Sequence, residues 1–149
     1  MNIRKATIND IWKLVDLRKV QLIDEGQEPM SDVDQHMYEF FKNRFMEDSI
    51  IQYLVEDSGE IIATGAVIFY EFPPSFTNIS GIRAYIANMY TKDEYRGQGL
   101  AKKILNKLIE EVKAKGLTKI FLQASEMGRP VYKKVGFHEV EYYLEMDLS

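Results

Sequence analysis

Asp93-Glu94-Tyr95-Arg96-Gly97-Gln98-Gly99-Leu100-Ala101 decides how this chain is read. It follows a strand-like run from Ile82 to Thr91 and opens an amphipathic helix over residues 99–115. Leu100, Ile104, Leu105, Leu108, Ile109 and Val112 form that helix's apolar stripe, and Gly116 closes it. A glycine-rich turn between strand and helix leaves several backbone N–H groups without intrahelical partners, at the positive end of the helix dipole. Such a turn receives a phosphate or pyrophosphate. Glycine lets the ligand approach the backbone where a Cβ would stand in the way.

Two common phosphate loops do not fit. A Walker-type loop needs Gly-Lys followed by a hydroxyl residue, which the chain lacks. In a dinucleotide fingerprint Gly97 and Gly99 take the first two glycine positions, but Lys102 stands where the third belongs. The pattern that fits is Arg-x-x-Gly-x-Ala, from Arg96 to Ala101.

Outward from this turn, residues 2–6 alternate as a first strand, and Thr7-Ile8-Asn9-Asp10 reads as a capping box opening a helix. Ile11, Leu14, Val15 and Leu22 share a face, and Gly26 and Pro29 end that helix. A second helix begins after Ser31, with Val33, Met37, Phe40, Phe41 and Phe45 at helical spacing. Residues 50–56 and 61–72 read as strands joined at Asp57-Ser58-Gly59-Glu60. Lys119 to Ala124 is a fifth strand, parallel to the fourth across the long helix. A short helix spans about 129–134, and the tail from His138 to Leu148 reads as one or two antiparallel strands.

The 149 residues fit one domain, and 46% hydrophobic content supplies a core. The absence of cysteine excludes disulfides, thiolate metal sites and a Cys nucleophile, and fits a cytoplasmic protein. Asp32, Asp34 and His36 read as surface residues, so no metal is expected. No apolar leader or membrane-length run is present, so no signal peptide or membrane span is expected. The net charge of −4 speaks against nucleic acid as a partner. Charge is uneven along the chain. Residues 20–41 hold six acidic side chains and no Lys or Arg, whereas residues 92–134 hold eleven Lys or Arg against five Asp or Glu. The basic half carries the phosphate turn and attracts a multiply phosphorylated ligand.

Arg96 to Ala101, preceded by Asn88-Met89-Tyr90-Thr91, resembles the signature of the GNAT superfamily of acetyl-CoA-dependent N-acetyltransferases. Gly128-Arg129-Pro130-Val131-Tyr132-Lys133-Lys134-Val135-Gly136-Phe137 resembles the same family's Tyr-x-x-x-Gly-Phe segment. Together the two cover about residues 81–137. The resemblance implies an α/β (α+β) fold: a mixed, mostly antiparallel sheet with helices on both faces and a splayed parallel strand pair. It implies acetyl-CoA as co-substrate, its pantetheine arm along the backbone of Met89 and Thr91, with Tyr90 facing away. The amides of Arg96, Gly97, Gln98, Gly99, Leu100 and Ala101 would cradle the pyrophosphate, and an N–H near Met89 would face the oxyanion.

The same resemblance makes Tyr132 the general acid toward the departing thiolate. With Tyr near pKa ~10 and a thiol near ~8.5, full transfer in water is uphill by about 2 kcal/mol, so a transition-state hydrogen bond is the better description. The family's usual strand carboxylate is missing, because residues 81–92 contain no Asp or Glu. Base candidates are Glu71, Glu126 and the acidic residues between the first two helices. A lysine-like amine is neutral about once in 2,500 at pH 7, a cost near ~4.6 kcal/mol, against about 1.4 for an α-amine near pKa ~8. The acceptor is expected to be a small-molecule or peptide amine, drawn as a cation by Asp24, Glu25 and Glu28. A non-catalytic acyl-CoA-binding module is the alternative on the same fold, and an exposed C-terminal strand would allow a homodimer.

Overall fold

The computed structural model describes residues 1–149. Strands β1 (Asn2–Lys5), β2 (Ile50–Asp57), β3 (Glu60–Glu71), β4 (Ile82–Thr91) and β5 (Ile120–Phe121) form one sheet in the order β1-β2-β3-β4-β5. The first three pairings are antiparallel and β4–β5 is parallel. Helices α1 (Ile11–Asp24) and α2 (Asp34–Met46) cover one face, while α3 (Leu100–Ala114) and α4 (Arg129–Val135) cover the other.

Local chemistry explains the boundaries. At the β2–β3 hairpin both central residues, Ser58 and Gly59, have positive φ (52° and 82°). That turn matches the right-handed twist of the flanking strands. β3 is buried along most of its length because helices press on both faces. Its residues alternate between two cores. Ile62, Val67 and Phe69 pack with Leu100, Ile104, Leu105, Leu108 and Val112 of α3. Ile61 and Ala66 pack with Ile11, Leu14, Val15 and Phe41. Phe40, expected on the packed stripe of α2, stays 40% exposed with Arg44 over its ring.

Asp10 fixes where α1 begins. The capping box with Thr7 is present, but its first turn is a 3-10 turn over Ile8–Asp10 and the α-helix follows from Ile11. The buried Asp10 carboxylate accepts from Thr7 N at 2.7 Å and from both terminal nitrogens of Arg4 at 2.9 and 2.8 Å. Arg4 also pairs with Glu56 on β2. This cluster bolts the helix start to the edge of the sheet.

The structure departs from the sequence expectation at the C-terminal side. The fifth strand is two residues long rather than six, because β4 and β5 pair only at Ala84–Ile120 and Tyr85–Phe121 before separating. The tail forms no strand: residues 138–149 are exposed and make no backbone hydrogen bond within the chain. The alternating pattern is there, and His138, Val140 and Tyr142 line the same cleft as β5, but the tail makes none of the ladder hydrogen bonds that define a strand.

Arg4 holds the Asp10 carboxyl down at about 2, against an ordinary value of 3.8. A depressed folded-state value means the ion pair stabilises above the ordinary value and is lost as pH falls through the folded one. Asp10→Asn should therefore lower stability at pH 7 by about 2 kcal/mol and flatten the stability loss between about pH 4 and 2. Urea denaturation across that pH range measures both effects.

Candidate active site

The separation of β4 from β5 opens a gap in the last strand pair of the sheet, and β4 is bent just beyond the point where they part. Register runs Thr64–Tyr90 and then Ala66–Ala87, so Asn88 and Met89 of β4 oppose the single Gly65 of β3. This is a β-bulge, and Asn88 takes the left-handed conformation (φ 58°) that asparagine tolerates. Gly65 is required because a Cβ there would meet the Met89 sulfur and, at 2.7 Å, Ile104 of α3. The Met89 carbonyl, turned by the bulge, accepts from Gln21 Nε2 at 3.3 Å.

Past β4 the chain enters the glycine turn, which three contacts hold. Lys92 N donates to Ile62 O at 2.9 Å, the Tyr95 hydroxyl donates to Asp57 at 2.9 Å, and Arg96 Nε donates to Thr91 O at 2.9 Å. Gly97 and Gly99 both have positive φ (81° and 77°), and nothing lies within 4 Å of where their Cβ atoms would be. From Gly97 through Lys102, six consecutive N–H groups find no backbone acceptor, and no side chain caps α3. An unobstructed row of donors at the start of a fifteen-residue helix has the chemistry of a pyrophosphate cradle. Within the expected motif the roles divide. Gly97, Gln98 and Gly99 are exposed, Leu100 is a core side chain, and Ala101 is half-buried. The Arg96 side chain turns back, pairing with Asp93, approaching Asp24 at 4.0 Å and lying over Tyr90. It orders the turn and is not presented to a phosphate.

Tyr132 stands on α4, edge-on to Phe137 at 6.0 Å between ring centres and packed on Gly128. It lines a cleft of about 830 Å³ together with Tyr85 and Tyr70. Burial pushes the Tyr132 phenol up, and the negative charge of Glu25 pushes it further. Tyr132 therefore keeps its proton throughout the neutral range, and no side chain or carbonyl of the chain takes that proton in a hydrogen bond.

The three acidic residues expected to meet a substrate are not equivalent. Asp24 accepts the Tyr90 hydroxyl at 2.8 Å, and burial together with that carboxylate pushes the Tyr90 phenol up to about 12. Asp24 is thus engaged on the side of the glycine turn, and Tyr90 points to α1. Glu25 accepts from Gln21 Nε2 at 3.1 Å, and its charge reaches Tyr132. Glu28 is exposed without an ion pair. Sequence reasoning missed Gln21, a buried amide bridging Met89 O and Glu25. The signal was available: Gln21 lies seven residues after Leu14, on the apolar face, where a polar residue needs a partner.

The acetyltransferase (GNAT) family profile matches residues 12–137. The chain belongs to this family. It is 44% identical to a predicted acetyltransferase from Clostridium acetobutylicum whose crystal structure contains acetyl-CoA; the match covers 98% of this chain and 95% of that one, with a TM-score of 0.94. It is 28% identical to the glucosamine 6-phosphate N-acetyltransferase of Arabidopsis thaliana over 90% of this chain and 87% of that protein. The Trypanosoma brucei brucei enzyme of the same name is 30% identical over 62% of this chain, which spans 61% of its length. The GNAT fold accounts for the mostly antiparallel sheet with one parallel pair, and the protein is an acyltransferase.

Gly99→Val tests the cradle. A β-branched residue at φ 77° is strained, and its side chain fills space the protein leaves open. Calorimetric titration of the folded variant should show acetyl-CoA affinity reduced at least tenfold, with Arg96→Ala milder. Unchanged affinity in Gly99→Val removes the turn from the binding site.

Proposed function

We propose that the enzyme transfers the acetyl group of acetyl-CoA to the primary amine of a small molecule by direct attack in a ternary complex. The observation that carries this reading is the row of six open N–H groups from Gly97 to Lys102, beside the gap between β4 and β5. These amides hold the pyrophosphate, and the backbone of Met89 and Thr91 pairs with the pantetheine arm. Gln21 fixes the Met89 carbonyl and with it the bend of β4. Tyr90 and Arg96 act through Asp24, locking the end of α1 against the turn.

In the transfer, the acceptor nitrogen bonds to the acetyl carbon and the carbon–sulfur bond breaks. Tyr132 donates a hydrogen bond to the sulfur, which leaves as the thiolate, and the nitrogen's surplus proton leaves to water or a carboxylate. The phenol suits donation because burial keeps it protonated. Its raised value makes full transfer costlier than in water, so it acts chiefly as a hydrogen-bond donor as charge builds on sulfur.

Glu25 and Glu28 lie on the connection between α1 and α2, and Glu25 is within the electrostatic reach of Tyr132. They favour a cationic amine. The two curated relatives favour a different acceptor, an amino sugar phosphate. A panel of polyamines, amino acids, aminoglycosides and glucosamine 6-phosphate, read by thiol release from acetyl-CoA, separates the two.

Tyr132→Phe should lower kcat by about 10²–10⁴ while coenzyme affinity changes within a few-fold. Wild-type kcat in a folded variant assigns the proton to water. Charge recruitment is tested separately by Glu25→Gln with Glu28→Gln. For the best cationic acceptor KM should rise several-fold, with salt producing the same rise in the wild type. A KM that ignores both changes places acceptor choice elsewhere, in the loop from Pro73 to Ser80.

A further inference from the structure

We propose that Arg18 on α1 and Arg83 on β4 form an anion subsite at the acceptor end of the cleft, so that the acceptor carries a carboxylate or phosphate besides its amine. This rests on the acetyl-transfer reading above and narrows its acceptor. Four of the six arginines have a carboxylate partner: Arg4 with Asp10, Arg44 with Glu47, Arg96 with Asp93 and Arg129 with Glu139. Arg18 and Arg83 have none, and neither donates a hydrogen bond to any group of the chain. Both are half-buried. A cation drawn partly out of water without a counter-charge costs free energy, and an incoming anion offsets that cost.

The strand supplies one of the two. Ala84 and Ile86 turn into the core under α3, so Arg83 and Tyr85, which alternate with them, face the α1 side of the sheet. Tyr70 stands opposite Arg83 across β3 and β4, and Phe121 opposite Tyr85 across β4 and β5. The Arg83 guanidinium lies 4.0 Å from the ring centre of Phe72 and 5.4 Å from that of Phe121. Tyr70, Phe72, Tyr85 and Phe121 all line the cleft of about 830 Å³. Stacking on rings holds a guanidinium in place and leaves the N–H donors at its edge free for an oxyanion.

The helix above supplies the other. Leu14, Arg18, Gln21 and Glu25 are spaced four, three and four residues apart, which is one face of α1. Leu14 and Gln21 are buried against the sheet, and Arg18 between them turns the same way. Burial raises the Tyr85 phenol and the positive charge of Arg18 opposes the rise, so Arg18 bears on the lining of the cleft. The same face carries Glu25 two turns on, about 10 Å along the helix. An acceptor therefore lies along α1 with its anion at Arg18 and Arg83 and its ammonium toward Glu25 and Tyr132.

Two matched acceptor pairs test the subsite: glucosamine 6-phosphate against glucosamine, and 6-aminohexanoate against hexylamine. Calorimetric titration into enzyme saturated with desulfo-coenzyme A reads binding, and thiol release from acetyl-CoA reads turnover. In at least one pair the wild type should bind the anionic member about tenfold more tightly or better, and which pair does so separates phosphate from carboxylate. Arg18→Gln and Arg83→Gln should each lower that ratio about fivefold or more, with the change in KM rather than in kcat. A purely structural role would weaken both members alike and leave the ratio in place. No measurable binding of either anionic member, a wild-type ratio near one in both pairs, or a ratio that both variants keep overturns the proposal. Preferential binding of the anionic member without thiol release from any acceptor overturns the acetyl-transfer reading instead.

Discussion

β4 and β5 are held together at two residue pairs and then part, and the rest of the site depends on that parting. A parallel strand pair ordinarily continues, because each further residue satisfies backbone groups that are costly to leave bare. Here the bulge at Asn88 and Met89 bends β4, and β5 stops at Phe121. The gap leads to the start of α3, where another row of backbone donors lacks partners. Open polar backbone along β4 and at the helix end gives the fold room for a long phosphorylated ligand without large rearrangement.

What keeps the gap in shape is a set of side chains on α1, the helix that crosses the other face. Its start is fixed by Asp10 and Arg4. Its end is fixed by Asp24 to Tyr90 and by Gln21 to the Met89 carbonyl. The helix thereby relays position from the β1–β2 edge to the bulge. It also brings Glu25 close enough to bear on Tyr132 across the cleft. Burial thereby keeps a phenol protonated within the electrostatic reach of a carboxylate, an arrangement suited to proton transfer.

Most of the architecture was legible in the sequence because its signals are local. The bounds of β4, the stripe of α3, the hairpin at Ser58-Gly59 and the turn at Gly97 and Gly99 follow from periodicity and glycine alone. What was not legible depends on partners distant in sequence. The bulge is set by a register against Gly65, and no pattern in β4 itself announces it. That the Arg96 guanidinium is held by Asp24, far off in sequence, is likewise announced by nothing in the turn itself. Asp24, Glu25 and Glu28 look alike as a charge run, yet one is engaged by a tyrosine, one by a glutamine and one by no side chain. The tail is the reverse case: its strand pattern is plain, yet it lies at the cleft beside β5 without the backbone hydrogen bonds of a strand.

The central claim is that backbone amides of the turn bind the coenzyme's pyrophosphate. Amide chemical shifts of ¹⁵N-labelled protein, followed during titration with acetyl-CoA, test it most directly. The account predicts that the largest downfield amide-proton shifts fall on residues between Gly97 and Lys102, with smaller changes at Met89 and Thr91. Saturating shifts centred elsewhere, with the turn unmoved, would contradict it.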